Sequence, residues 1–274
     1  MFVCADAAGL TAEDLADPAI AMAVASTAMR KLNPWSGGAA YERAAALDNV
    51  KGVEGLVAAV VSDTRNAWWW LELERDRQLW VSDITLDPAA FELPVSAEHQ
   101  RWTIYAQHPN YANCIDTSTE LDVAPAQVHS GLHNELAGAV PTDWYPNFPL
   151  RQARITVADD ARVYEIHQPQ AWHELTLRYA DLAEYEGPDA NLLSSAGIDH
   201  GPAPIWHRVA ADWDGVHLSF FGLLTTLYTP ITQDGITTTL WAWSSERTLW
   251  LGNAFDAVNY LEPLTEAPDP DSFG

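Results

Sequence analysis

The 274 residues carry 38 acidic against 14 basic side chains, a formal net charge of −24, with Lys31 and Lys51 the only lysines. A chain this negative repels nucleic-acid phosphate and anionic lipid, which excludes both as partners, and it attracts cations and basic proteins. Apolar residues at 48% and 13 tryptophans supply ample material for a core, which excludes a disordered chain.

The first segment reads as helical. Asp17-Pro18 offers an N-cap with proline at the first helical position, and Ile20, Val24 and Ala28 then mark one face toward Leu32, with a stop near Asn33-Pro34. After the Gly37-Gly38 turn, the alanine-rich run 39–47 favours helix, and 53–61 predicts another short helix beyond Lys51-Gly52. Residues 1–64 are thus expected to form a helical N-terminal segment.

From residue 67 the pattern turns aromatic and β-branched. Segments 68–73 and 78–84 flank the charged stretch Glu74-Arg75-Asp76-Arg77, the look of a β-hairpin, and 237–243 with 248–251 repeat that look around Ser244-Ser245-Glu246-Arg247. Leu79-Trp80 is echoed by Leu249-Trp250, which suggests two similar halves meeting near 136–150, a loop with Pro141, Pro146 and Pro149. Further strands are predicted at 101–106, 152–157, 162–167 and 216–228. Pro169 opens a helix in which Trp172, Leu175 and Tyr179 recur at helical spacing, and 256–261 suggests a last short helix. The expected fold is α+β, an antiparallel or mixed β-sheet with Trp-rich hairpins backed by helices, occupying 65–262, followed by a disordered acidic tail at 263–274.

Val163-Tyr164-Glu165-Ile166, then Trp172, Leu175 and Arg178-Tyr179, then the run from Val209 through Asp212-Trp213-Asp214-Gly215-Val216-His217-Leu218, resemble a family of actinobacterial proteins to which no activity is attached. The resemblance covers roughly the C-terminal hundred residues. It implies that these strands and this helix form one unit.

Asp212-Trp213-Asp214-Gly215-Val216-His217 leads from a turn into a strand, so Asp212, Asp214 and His217 are candidate acid–base groups, with Ser219 on the same strand face as His217. The plainer reading makes the aspartates turn-shaping residues and His217 a satisfied sheet histidine. His129 and His133, four apart with Glu135 two further on, would share a helix face as metal ligands do. Gly131 weakens that helix, and the zinc-protease pattern needs Glu directly after the first His. His167 and His173, straddling the start of the helix at Pro169, read as surface or capping residues. Arg101, Thr117-Ser118-Thr119 and Glu184-Tyr185-Glu186 are superficially similar to the arginine, Ser-Thr-Ser and Glu-x-Glu elements of ADP-ribosyltransferases, but the hydroxyl order differs and the spacing from Arg101 is short. No cofactor signature is present. Trp68, Trp69, Trp70, Trp144 and Trp213 are candidate walls of a pocket for an apolar or carbohydrate-like ligand.

Two functions follow from these features. The charge points to an acidic interaction protein of the immunity or nucleic-acid-mimic type that binds a basic protein, although codon bias or life at high salt would give the same acidity. The tryptophans and the Asp212–His217 cluster point instead to a hydrolase, a transferase or a small-ligand binder. With no basic leader, no apolar run of membrane length and only Cys4 and Cys114 as cysteines, the expected location is the cytoplasm.

Overall fold

The computed structural model describes residues 1–17, 52–83, 115–119, 149–183, 201–227, 229–240, 246–252 and 254–265, together with positions 20, 21, 24, 25, 28 and 243. The protein is α+β. The N-terminal layer contains α1 (Phe2–Ala7), a 3-10 turn (Asp14–Ala16), α2 (Glu54–Ser62) and a 3-10 helix (Thr64–Trp70). Ile20, Ala21, Val24, Ala25 and Ala28 are helical as the sequence predicts, and Ala21, Ala25 and Ala28 are buried.

The described strands β1 (Gln78–Asp83), β2 (Ile115–Thr119), β3 (Leu150–Val157), β4 (Val163–Ile166), β5 (Gly215–Leu218), β8 (Arg247–Trp250) and β9 (Phe255–Leu264) build one seven-stranded mixed sheet, in the order β4-β5-β8-β2-β1-β3-β9. The small β6 (Ile231–Gln233) and β7 (Ile236–Thr238) pair with each other. Within the large sheet β4 and β5 run parallel and the other pairs among the described strands run antiparallel. A parallel pair needs a crossover, and here it contains α3 (Pro169–Tyr179) and α4 (Trp206–Asp212). Both helices cover one face of the sheet: Trp172, Leu175, Tyr179, Trp206 and Val209 pack on Ile166, Val216, Leu218 and Leu249. Alternation along the strands turns Glu165, His217 and Thr248 to the opposite face.

Several expected elements pair differently. Neither hairpin forms. Trp68, Trp69 and Trp70 lie on the 3-10 helix, which Asp63 caps by accepting from Arg65 N at 2.9 Å, and strand begins only at Gln78. Likewise β8 pairs with β2 and β5 rather than with 237–243. A tight hairpin does exist at β6–β7, where Asp234 and Gly235 both take positive φ (52° and 80°), as a type I′ turn requires. The predicted strand 216–228 stops at Leu218: Ser219 Oγ accepts from Gly222 N at 3.0 Å and caps α5 (Phe220–Thr226). A Cβ on Gly222 would fall on the carbonyl oxygen of Ile166, so glycine lets this helix close against the end of β4. The predicted helix 256–261 is instead part of β9, which pairs with β3 and runs on through Leu264, past the expected start of the tail. β1 and β2, which precede 136–150, lie side by side between β8 and β3.

Candidate functional site

Two short segments build the site. Glu165 and His167 are two apart at the carboxyl end of β4, and His217 and Ser219 are two apart at the carboxyl end of β5. The parallel register sets Glu165 opposite His217, and one pleat further on His167 meets Ser219. His217 Nδ1 lies 2.5 Å from Glu165 Oε2, and His167 Nδ1 lies 2.9 Å from Ser219 Oγ. A third element completes the row: Glu246, just before β8, places Oε1 3.1 Å from His217 Nε2.

His217 is 2% exposed, and both of its ring nitrogens face carboxylates. Ionised carboxylates only accept, so both nitrogens carry protons and the ring is an imidazolium. Burial pushes the imidazole toward the neutral form, but the hydrogen bonds and charges of Glu165 and Glu246 outweigh it and raise His217 from 6.5 to about 9. The carboxylates are themselves anchored. Glu165 Oε1 accepts from Leu73 N at 3.0 Å, and Glu246 accepts from Thr119 N and Thr119 Oγ1, while Ser118 Oγ donates to the Glu246 carbonyl at 3.0 Å. Behind them Gln78 donates to Thr119 Oγ1 and accepts from Thr117 Oγ1 at 2.6 Å, and Trp250 Nε1 donates to Thr117 Oγ1 at 2.9 Å.

The row opens at the β4 end, where the side chains of Glu165 and His167 are 21% and 31% exposed. His167 Nε2 faces Glu165 Oε2 at 3.8 Å. The Ser219 hydroxyl proton can go to His167 Nδ1, leaving the ring proton on Nε2, or to the Ile166 carbonyl at 3.5 Å, in which case Ser219 Oγ accepts from a protonated Nδ1. Nε2 can therefore serve as donor or acceptor.

The residues singled out in the sequence separate. His217 is in the site. Asp212 lies at the end of α4, where Tyr179 OH at 2.7 Å and Arg178 Nη2 at 2.8 Å hold it as a carboxylate, the tyrosine bond being the larger influence. Asp214 accepts from the backbone and guanidinium of Arg162. Neither aspartate is a ring partner of His217, whose two nitrogens are taken by Glu165 and Glu246. Trp213 donates to Tyr179 OH at 3.0 Å and packs edge-on to Tyr164. Trp68 stacks on Phe220 with centroids 4.8 Å apart, Trp69 is fully buried edge-on to Phe220, and Trp70 packs on Phe221. The tryptophan triplet thus grips the start of α5, directly after Ser219, and positions the site by packing. Trp144, His129, His133, Glu135, Arg101 and 184–186 lie outside the described residues; Thr117, Ser118 and Thr119 are on β2, in the network behind Glu246. Among the described residues no group of three or more His, Cys, Asp or Glu is placed to hold a metal ion.

Glu165 and Glu246, which the sequence does not single out as candidates, and His167, expected as a surface or capping residue, join His217 in the row. Their signal is the pair of spaced motifs Glu165-x-His167 and His217-x-Ser219, each on one face of a strand, which gains meaning only when the two strands lie side by side.

Fold and site define an α+β protein with a carboxylate–imidazolium–carboxylate row at the carboxyl ends of a parallel strand pair. Compared with protein-family models, curated proteins and solved structures, the chain matches none.

Proposed function

We propose that the protein is an enzyme of the hydrolase or transferase type, in which His167 Nε2 exchanges a proton with substrate at the mouth of the row. The observation that carries this reading is the convergence of Glu165, His167, His217 and Ser219 at the carboxyl ends of β4 and β5. Ser219 orients His167 through Nδ1, Glu165 lies 3.8 Å from its Nε2, and the buried His217 imidazolium, backed by Glu246, keeps Glu165 fixed. Buried ion pairs add little stability over apolar packing, which favours a chemical reason for this one.

The test is hydrolysis of nitrophenyl esters, phosphates and glycosides by the wild-type chain and by His167→Gln and Glu165→Gln. Turnover of one class, lowered about 100-fold or more in His167→Gln while the fold is retained, is expected. Turnover of none of the three classes, or equal turnover in both variants, overturns the assignment.

A second reading, binding of a basic protein in the cytoplasm, is favoured by how the cations are used. Arg65, Arg77, Arg162, Arg178 and Arg208 are paired with carboxylates of the chain itself and Arg75 with carbonyls of Ala158 and Ala161, while Asp6, Glu54, Glu72, Asp159, Asp160 and Asp256 are exposed. The expected result is capture from lysate of one stoichiometric basic protein that elutes as salt rises; no capture at low ionic strength removes this reading. Among the described residues no helix is long and apolar enough to cross a membrane.

A further inference from the structure

β9 closes one edge of the large sheet: β3 is its neighbour on one side, and among the described strands none lies on the other. The strand runs for ten residues, and little of it is covered. Of residues 255–263 only Phe255 is buried, while Asp256, Asn259, Tyr260, Glu262 and Pro263 are exposed, Tyr260 by 49%. An open edge of this kind carries backbone N–H and C=O groups that point away from the sheet and can take a further strand. The register to β3 is regular from Ala257 to Leu261 and shifts at each end, next to Asp256 and Glu262. The regular ladder is therefore five residues long, with an acid at either end.

A second copy of the chain meets that ladder badly. Antiparallel pairing centred on Asn259 sets Asp256 of each copy against Glu262 of the other, between molecules of formal charge −24. The arginines of β3 are engaged elsewhere: Arg151 lies 5.7 Å over the Tyr260 ring, and both it and Arg154 have partners within the chain. The same two acids attract a strand whose own ends are basic. We propose that β9 takes an extended basic segment of another protein by strand addition, with main-chain hydrogen bonds along Ala257–Leu261, an apolar side chain beside Tyr260, and a Lys or Arg beside each of Asp256 and Glu262. This names a surface for the second reading above, binding of a basic protein, and rests on that reading.

The experiment adds acetyl-Arg-Thr-Val-Thr-Val-Thr-Lys-amide, or the same composition as acetyl-Thr-Val-Thr-Arg-Lys-Val-Thr-amide, to the full chain at low salt, and follows peptide anisotropy and backbone hydrogen exchange in β9. The expected result is an affinity about tenfold or more higher for the first peptide, with slowed exchange in β9. The double variant Asp256→Lys with Glu262→Lys is expected to lose that peptide and to take acetyl-Glu-Thr-Val-Thr-Val-Thr-Glu-amide instead, a gain that also shows the variant is folded. Equal affinity for the two basic peptides, binding of neither, or binding that leaves β9 exchange unchanged overturns the proposal. Exchange in β9 that slows with protein concentration and no peptide overturns it too, and assigns the edge to a second copy. Capture of a basic protein from lysate with β9 exchange unchanged removes this surface and leaves the second reading standing.

Discussion

Replacing His217 by alanine is expected to lower stability by about 3–5 kcal/mol, because it leaves Glu165 and Glu246 facing each other without the cation that separates them. The loss is electrostatic more than volumetric. Neutralising the deeper carboxylate should therefore recover part of it: the double variant His217→Ala with Glu246→Gln is expected to be more stable than His217→Ala alone. The measurement is the urea midpoint of the three proteins at neutral pH. If the double variant is no better than the single one, repulsion between the carboxylates is not what the imidazolium relieves, and the row is held together by packing.

Stability of the wild-type protein should fall as pH rises from about 6.5 to 9. His217 in the folded chain holds its proton up to about 9, whereas the unfolded chain releases it near 6.5. Below 6.5 both states are protonated at this residue and its contribution is fully present. As pH rises through the folded value the proton is lost and the contribution disappears, a change of about 3 kcal/mol. Urea unfolding at pH 6, 7.5 and 9.5 reads this directly, and His217→Gln serves as the reference that lacks the titrating group. The expected result is a wild-type midpoint that falls across the range and a variant midpoint that falls less. Equal slopes would mean that the ring is not held as the imidazolium.

The same group links stability to the proposed chemistry. Glu165 receives a proton-bearing nitrogen of His217 on one oxygen and the Leu73 amide on the other, so it is fixed in orientation before any substrate arrives. His167, held on its other side by Ser219, then meets a carboxylate whose position does not change. The tryptophans contribute at one remove, by locking Phe220 and Phe221 and with them the cap residue that positions His167.

The sequence by itself determined the class of fold and the elements whose cause is local. The helix at Pro169 is where proline at the first turn and the Trp172, Leu175, Tyr179 spacing put it, since its apolar face needs no information from elsewhere. The 53–61 helix and the strands near 152–157 and 162–167 are likewise close to their expected places. The Asp234-Gly235 turn was also legible, because two consecutive positive φ angles select those residue types, yet it lay hidden behind the louder aromatic runs. What only the tertiary structure decided is pairing. Aromatic and β-branched runs say that a segment is extended and half-buried, and do not say against which strand. Thus Trp68, Trp69 and Trp70 became a 3-10 helix once Phe220 and Phe221 offered them aromatic faces, and 256–261 became strand because β3 lay open beside it. The site follows the same rule. His217 was legible as a polar residue in a strand, but its partners stand 52 residues before it and 29 after it, and only the β4–β5 register and the start of β8 bring the carboxylates to its two nitrogens. Asp212 and Asp214, near in sequence, were drawn away by Arg178, Tyr179 and Arg162, because strand alternation and the helix end point them elsewhere.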